Sequence, residues 1–281
     1  SMGALLLAGT LSAQTPVPEW QAGVDKMKSL IQTNPAQASE EVGELLKGKN
    51  KKNVDLVTSV AHVYLDAGKL TEAQEYLAMA KKADNKDPKV SVLEGDIALA
   101  QKNIGQACQL YEQAIYFDPN CKEAYLKYAQ AYKSASPALA IEKLEQLKAV
   151  DPNCLEADRE LAEVYYSSNR FGKAAEMYAK FIDTPLATED DMLKYAFALF
   201  LNHDFEKSLQ VAQKGLQKNA RHAAFNRLVM YNNTDLKRYE DAEKAAHAFF
   251  NASDRADYSY LDYRYYGALL SALKKYDEAI I

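Results

Sequence analysis

One interval constrains this chain more than any other feature. A short pattern, an apolar residue, two others and then a small residue, occurs as Leu70-Thr71-Glu72-Ala73, Ile104-Gly105-Gln106-Ala107 and Phe171-Gly172-Lys173-Ala174. It returns as Phe205-Glu206-Lys207-Ser208, Tyr239-Glu240-Asp241-Ala242 and Tyr276-Asp277-Glu278-Ala279. The small residues are separated by 34, 67, 34, 34 and 37 positions, and the 67 divides into 33 and 34 at Ala140. A parallel column, Ala61, Gly95, Ala129, Ala162, Ala196, Met230 and Gly267, runs 12 positions ahead of the first, or 11 at Ala129. The irregularities fall in turn-forming stretches: a deletion within Ser134-Ala135-Ser136-Pro137 and three extra residues within 251–257. Insertions and deletions confined to turns mark a structural period, so the chain is a tandem array.

Within each period the apolar residues follow helical spacing. Val57, Val60, Ala61 and Tyr64 form one stripe, and Ala174, Tyr178 and Phe181 another. Short polar turns separate the stripes, as at Asp66-Ala67-Gly68-Lys69 and Ser167-Ser168-Asn169-Arg170. Two amphipathic helices joined this tightly run antiparallel. Small residues in both columns let their backbones approach where they cross. Asp-Pro-Asn at 118–120 and at 151–153 ends one unit and frees the next helix to start.

A 34-residue helix–turn–helix with small residues at two fixed places, aromatics between them and a closing proline resembles the tetratricopeptide repeat family, best over 121–153 and 154–185. The resemblance covers roughly 53–281 and implies an all-α, right-handed superhelical solenoid of antiparallel helix pairs, about seven to eight repeats. Its units fall at about 53–86, 87–120, 121–153, 154–187, 188–221, 222–257 and 258–281, the last incomplete. Residues 15–52 read as a degenerate first pair followed by the basic run at 47–52, a solvated linker. Met230 and Asn233 stand where the family has a small residue and a tyrosine, and the closing prolines after Asn219 and Phe250 are missing.

Chemistry is sparse. The four histidines, His62, His203, His222 and His247, lie in different regions and make no metal-ligand spacing. His203-Asp204 reads as a solvated turn that starts a helix. There is no glycine-rich phosphate loop and no nucleophile elbow. Three cysteines at long spacing are not a disulfide framework. No cofactor and no catalysis are expected. A net charge of −5 disfavours nucleic acid as a partner. The apolar stretch at 4–14 resembles the second half of a secretory signal, and Ser1-Met2 reads as a cloning remnant. Export, to the periplasm or envelope of a bacterium, is the expectation, with a cytoplasmic protein as the alternative. The stretch is too short to span a bilayer.

A binding surface is the function that the repeat implies. In the family the first helix of each pair lines a concave groove, and the residue after the second small column faces into it. In this chain those residues are His62, Asp96, Gln130, Glu163, Phe197, Tyr231 and Ala268, with Arg159, Leu193, Arg227 and Arg264 among those four positions earlier. Aromatic and arginine residues are what binding hot spots are made of. The expected groove is therefore Arg159, Glu163, Leu193, Phe197, Arg227, Tyr231 and Arg264, holding an apolar, acidic peptide or protein segment. The family's chaperone-tail clamp needs Lys and Asn where this chain has Thr58 and His62, so that ligand is not expected. The tyrosine-rich helix near the end offers a surface for a symmetric pair. The alternative reading is a recognition or assembly arm of a larger envelope enzyme or secretion complex, its active part beyond residue 281.

Overall fold

The computed structural model describes residues 16–279. The apolar stretch at 4–14 and the chain end at Ile280 and Ile281 lie outside them. Contacts divide the chain after Asp118 into two compact units. Unit 1 stacks three helix pairs: α1 Gln21–Leu30 with α2 Pro35–Leu45, α3 Val54–Asp66 with α4 Leu70–Ala83, and α5 Pro88–Ala100 with α6 Ile104–Phe117. Unit 2 stacks α7 Lys122–Tyr132 with α8 Pro137–Val150, α9 Leu155–Ser167 with α10 Phe171–Phe181 and α11 Glu189–Leu201 with α12 Phe205–Lys218. It continues with α13 Ala223–Asp235, α14 Tyr239–Ala252 and α15 Tyr260–Ala272. The basic run at 47–52 is exposed but ordered as a 3₁₀ turn, Gly48–Lys52. Among the described residues no helix is long and apolar enough to cross a membrane.

The turns repeat as strictly as the sequence does. The first helix of a pair ends on a left-handed residue: Gly68, Lys102, Asn169, His203, Lys237 and Lys274. The next residue's N–H then reaches back to close the last turn, as from Lys69 to Tyr64 O, Asn103 to Ala98 O and Arg238 to Asn233 O. The α1–α2 and α7–α8 turns have no left-handed residue, and the second of these is the turn that carries the one-residue deletion. Starts are capped from the side chain by Asn53, Asp87, Asn103, Asp204 and His222, and Pro35, Pro88 and Pro137 open their helices.

Both small columns are interior as far as Met230 and Ala242, while Gly267 and Ala279 in the last unit are partly exposed. Ala73, Ala107, Ala140, Ala174, Ser208 and Ala242 are fully buried, as are Ala61, Ala162, Ala196 and Met230. Gly95 has a particular reason: a Cβ there would lie 2.5 Å from the Tyr111 ring. Gly215 makes the same room for Phe225. The stretch 225–257, where Met230 and Asn233 depart from the family pattern, keeps the helix–turn–helix form as α13 and α14.

Candidate functional site

The seven groove residues sit on first helices of unit 2: Arg159 and Glu163 on α9, Leu193 and Phe197 on α11, Arg227 and Tyr231 on α13, and Arg264 on α15. The structure sorts them by what they already hold.

Arg159 and Arg227 are engaged within the chain. Arg159 Nε and Nη2 each lie 3.0 Å from the Asp191 carboxylate, which is 1 % exposed. Arg227 Nε donates to Asp262 Oδ1 at 2.8 Å and its Nη2 to Oδ2 at 3.0 Å. The same Nη2 donates to Asp257 O at 2.8 Å, and the guanidinium lies 4.7 Å over the Phe249 ring. Both acids stand at the third position of a capping box. Asp191 accepts from Thr188 N and Oγ1, and Asp262 from Ser259 N and Oγ. Burial works to raise the Asp262 carboxyl, but hydrogen bonds from Tyr231, Ser259 and Arg227 outweigh it and hold it below the usual carboxylate range.

Tyr231 is interior rather than groove-facing. It is 1 % exposed, donates its hydroxyl to Asp262 Oδ1 at 2.6 Å, and stacks on Tyr265 with centroids 4.2 Å apart. Phe200 closes the same aromatic cluster. Burial first, and then the Asp262 carboxylate, push the Tyr231 hydroxyl upward.

The open part of the strip lies one repeat earlier. Leu193 and Phe197 are half-buried, their inner sides packed on the core of α11 to α15. Beside them Glu163 accepts from Lys194 Nζ at 3.0 and 2.9 Å and from the Tyr178 hydroxyl at 2.7 Å. Burial opposes the Lys194 charge, yet Asp190 and Glu163 raise its ammonium above the ordinary lysine value. Tyr178 is pushed up by burial and by the carboxylate it serves. Arg264 is exposed on α15. The strip thus brings Glu163 to Lys194 across α9 and α11, and it leaves Arg264 apart from the arginine pairs.

Unit 1 carries a polar version of the same position. His62 Nδ1 meets Thr58 O at 2.9 Å and its Nε2 meets Asp96 Oδ2 at 2.9 Å; the Tyr111 hydroxyl donates to Asp96 Oδ1 at 2.8 Å. The tyrosine follows the carboxylate by 15 residues here, as Tyr178 follows Glu163. Among the described residues no group of three or more His, Cys, Asp or Glu side chains could hold a metal ion.

Residue-type reasoning missed Asp191, Asp262, Tyr178, Lys194 and Tyr265. A signal was present for the first two: Thr188-x-x-Asp191 and Ser259-x-x-Asp262 are capping-box sequences immediately before helical stripes.

No protein-family model matches the chain, and no curated protein matches it. Solved structures do. PilF of Pseudomonas aeruginosa, 16% identical, superimposes with a TM-score of 0.59 over 79% of this chain and 99% of that one. PilW, 17% identical, gives 0.56 over 73% and 95%. A tetratricopeptide repeat protein from Parabacteroides merdae, 14% identical, gives 0.51 over 90% and 98%. At such identities the likeness is one of fold, and it coincides with the 34-residue helix–turn–helix that the sequence repeats. The chain has the tetratricopeptide-repeat fold.

Proposed function

We propose that this chain is a non-catalytic interaction scaffold that holds a peptide or protein segment against the first helices of unit 2. The observation that carries this reading is the half-buried pair Leu193 and Phe197, set beside the Glu163–Lys194 ion pair on one face of α9 and α11. Two apolar side chains with their outer sides free and a charged rim beside them have the make-up of a binding anchor. Arg159 and Arg227 serve the fold in this reading, so apolar contact outweighs acidity in choosing the partner, and Arg264 supplies the exposed guanidinium. The second form of the reading is an assembly arm in a bacterial envelope, favoured by the fold's likeness to PilW, a type IV pilus biogenesis factor. Export, read from residues 4–14, belongs to that form.

The test separates surface from core. Envelope extract is passed over the wild-type chain and over the Leu193→Ala, Phe197→Ala double variant, and the retained proteins are compared. A protein retained by wild type and lost from the variant, with thermal unfolding of the variant within a few degrees of wild type, supports the scaffold. Identical retention on both columns overturns the assignment of this face.

A further inference from the structure

Helices α12, α13 and α14 line an open surface cavity of about 600 Å³ on unit 2. Leu209, Leu216, Val229 and Ala245 are the aliphatic part of a lining that is otherwise polar and charged. Two asparagines of α13, Asn226 and Asn233, share that lining. Asn233 is 2 % exposed, and its side-chain amide makes no hydrogen bond among the described residues, so one donor group and one acceptor turn to the cavity. Asn226 is 4 % exposed; its Nδ2 is taken by Ala220 O at 3.0 Å and His222 O at 3.2 Å, which leaves Oδ1 as an acceptor. Buried amides without partners are rare enough to need a reason.

The repeat register sharpens that reason. The residue three after the second small column is Tyr64, Ala98, Tyr132, Tyr165, Leu199, Asn233 and Leu270. Asn233 is the one amide in the series, placed where other units fill the space with a tyrosine ring or an aliphatic chain. Asn226 and Asn233 are seven residues apart on one helix face with Val229 between them. At 1.5 Å per residue their separation along the axis is about 10.5 Å, the reach of about three residues of extended chain. The charges at the mouth are already paired, Arg238 with Glu206 at 3.1 and 2.5 Å and Lys244 with Asp241 at 3.1 Å. Nothing in the lining calls for an ionised ligand.

We infer that this cavity is a second binding site, for an uncharged, extended peptide segment whose main-chain amides meet Asn233 and Asn226 and whose aliphatic side chain meets the aliphatic part of the lining. A peptide group presents one donor and one acceptor, the complement of what Asn233 offers. The site is distinct from the first-helix face: at 100° per residue, Asn226 and Asn233 project from α13 about 100–120° away from Arg227 and about 140–160° away from Tyr231.

The test titrates the ¹⁵N-labelled chain with a blocked tripeptide, acetyl-Ala-Leu-Ala-amide, and follows the side-chain amide resonances of Asn226 and Asn233. Saturable shifts of both are expected, together with at least tenfold weaker binding of the matching depsipeptide, in which an ester replaces the central amide. Asn233→Leu, the residue type found at Leu199 and Leu270, should weaken binding at least tenfold with an unchanged circular dichroism spectrum. Gln213→Trp, at an exposed position beside the mouth, should do the same and keeps the test decisive should Asn233→Leu misfold. The inference is overturned by absent shifts at millimolar peptide, by equal binding of the ester, or by binding that survives both variants. It is equally overturned if the two resonances move with protein concentration alone and sedimentation shows a dimer, because the occupant would then be a second copy of the chain.

Discussion

At the α9–α11 junction Arg159 reaches Asp191, and at the α13–α15 junction Arg227 reaches Asp262; the two acids are 71 residues apart, as are the capping residues Thr188 and Ser259. The hardware is the same, two repeats removed, with three inserted residues in the second linker. The strip position beside each arginine differs. At the first junction it is Glu163, partly exposed and bonded to Lys194. At the second it is Tyr231, which folds inward, donates to Asp262 and stacks on Tyr265. One change of residue type in a repeating column turns a surface position into a core position. The first junction stays available to a partner, and the second becomes internal structure.

The largest expected effect tests that division through the arginines. Asp262 is fully buried, and Ala at 262 leaves Arg227 without its acid and Tyr231 without its acceptor; a loss of about 3–5 kcal/mol is expected, as for one-sided removal of a buried ion pair. Arg227→Ala should cost about 3 kcal/mol, because it strands the same carboxylate and removes the contact over Phe249. Arg159 has a side chain 35% exposed against 21% for Arg227, so water reaches its end of the pair, and Arg159→Ala, which also strands a buried carboxylate, should cost less than Arg227→Ala, about 2 kcal/mol. Urea unfolding at constant m-value measures the three. Equal losses for the two arginines would break the comparison.

A smaller and more selective effect lies in pH. Asp262 titrates lower in the folded chain than its unfolded value of about 3.9, so its contribution is complete above that pH and is lost as pH falls through the folded value. Asp262→Asn should therefore flatten the acid limb of the stability curve below about pH 4. Tyr231 and Tyr178 titrate above the unfolded tyrosine value of about 10, so their contributions are complete below that pH and are lost as pH rises through the folded values. Each of Tyr231→Phe and Tyr178→Phe should reduce the alkaline slope above pH 10 by roughly 1.4 kcal/mol per pH unit. An unchanged slope in either variant would show that its hydroxyl is solvated.

The repeat, its helices and its turns were legible because they follow from spacing. Small residues every 34 positions have no use outside helix crossings, and Ala73 through Ala242 are interior as that requires. Spacing also puts Phe197 and Tyr231 in one column, but it does not reveal that Tyr231 finds a buried acid 31 residues on. That contact depends on how the 253–259 linker bends, and the bend is set by the Ser259 capping box together with three inserted residues. The arginines misled for the same reason. A guanidinium on a groove-facing stripe reads as a hand held out to a partner until the acid that takes it is located across a linker.

The smallest effect is also the control. Thr188 and Ser259 cap their helices in the same local way. The hydroxyl accepts from the third N–H of the helix, while the acid at that position accepts from the backbone and hydroxyl of the cap. The cap's own donor–acceptor exchange is the same at both junctions, and Tyr231 enters the second only by sharing the Asp262 carboxylate, so the cost of losing the exchange should be close at the two. Thr188→Ala and Ser259→Ala should each lower stability by about 1 kcal/mol and agree within experimental error. Agreement at the caps together with disagreement at the arginines would place the difference between the junctions in the strip residue, where one column position is glutamate and the other tyrosine. A cap loss much larger at Ser259 than at Thr188 would place it in the lengthened linker instead, since Ser259 would then be holding the insertion as well as the helix start.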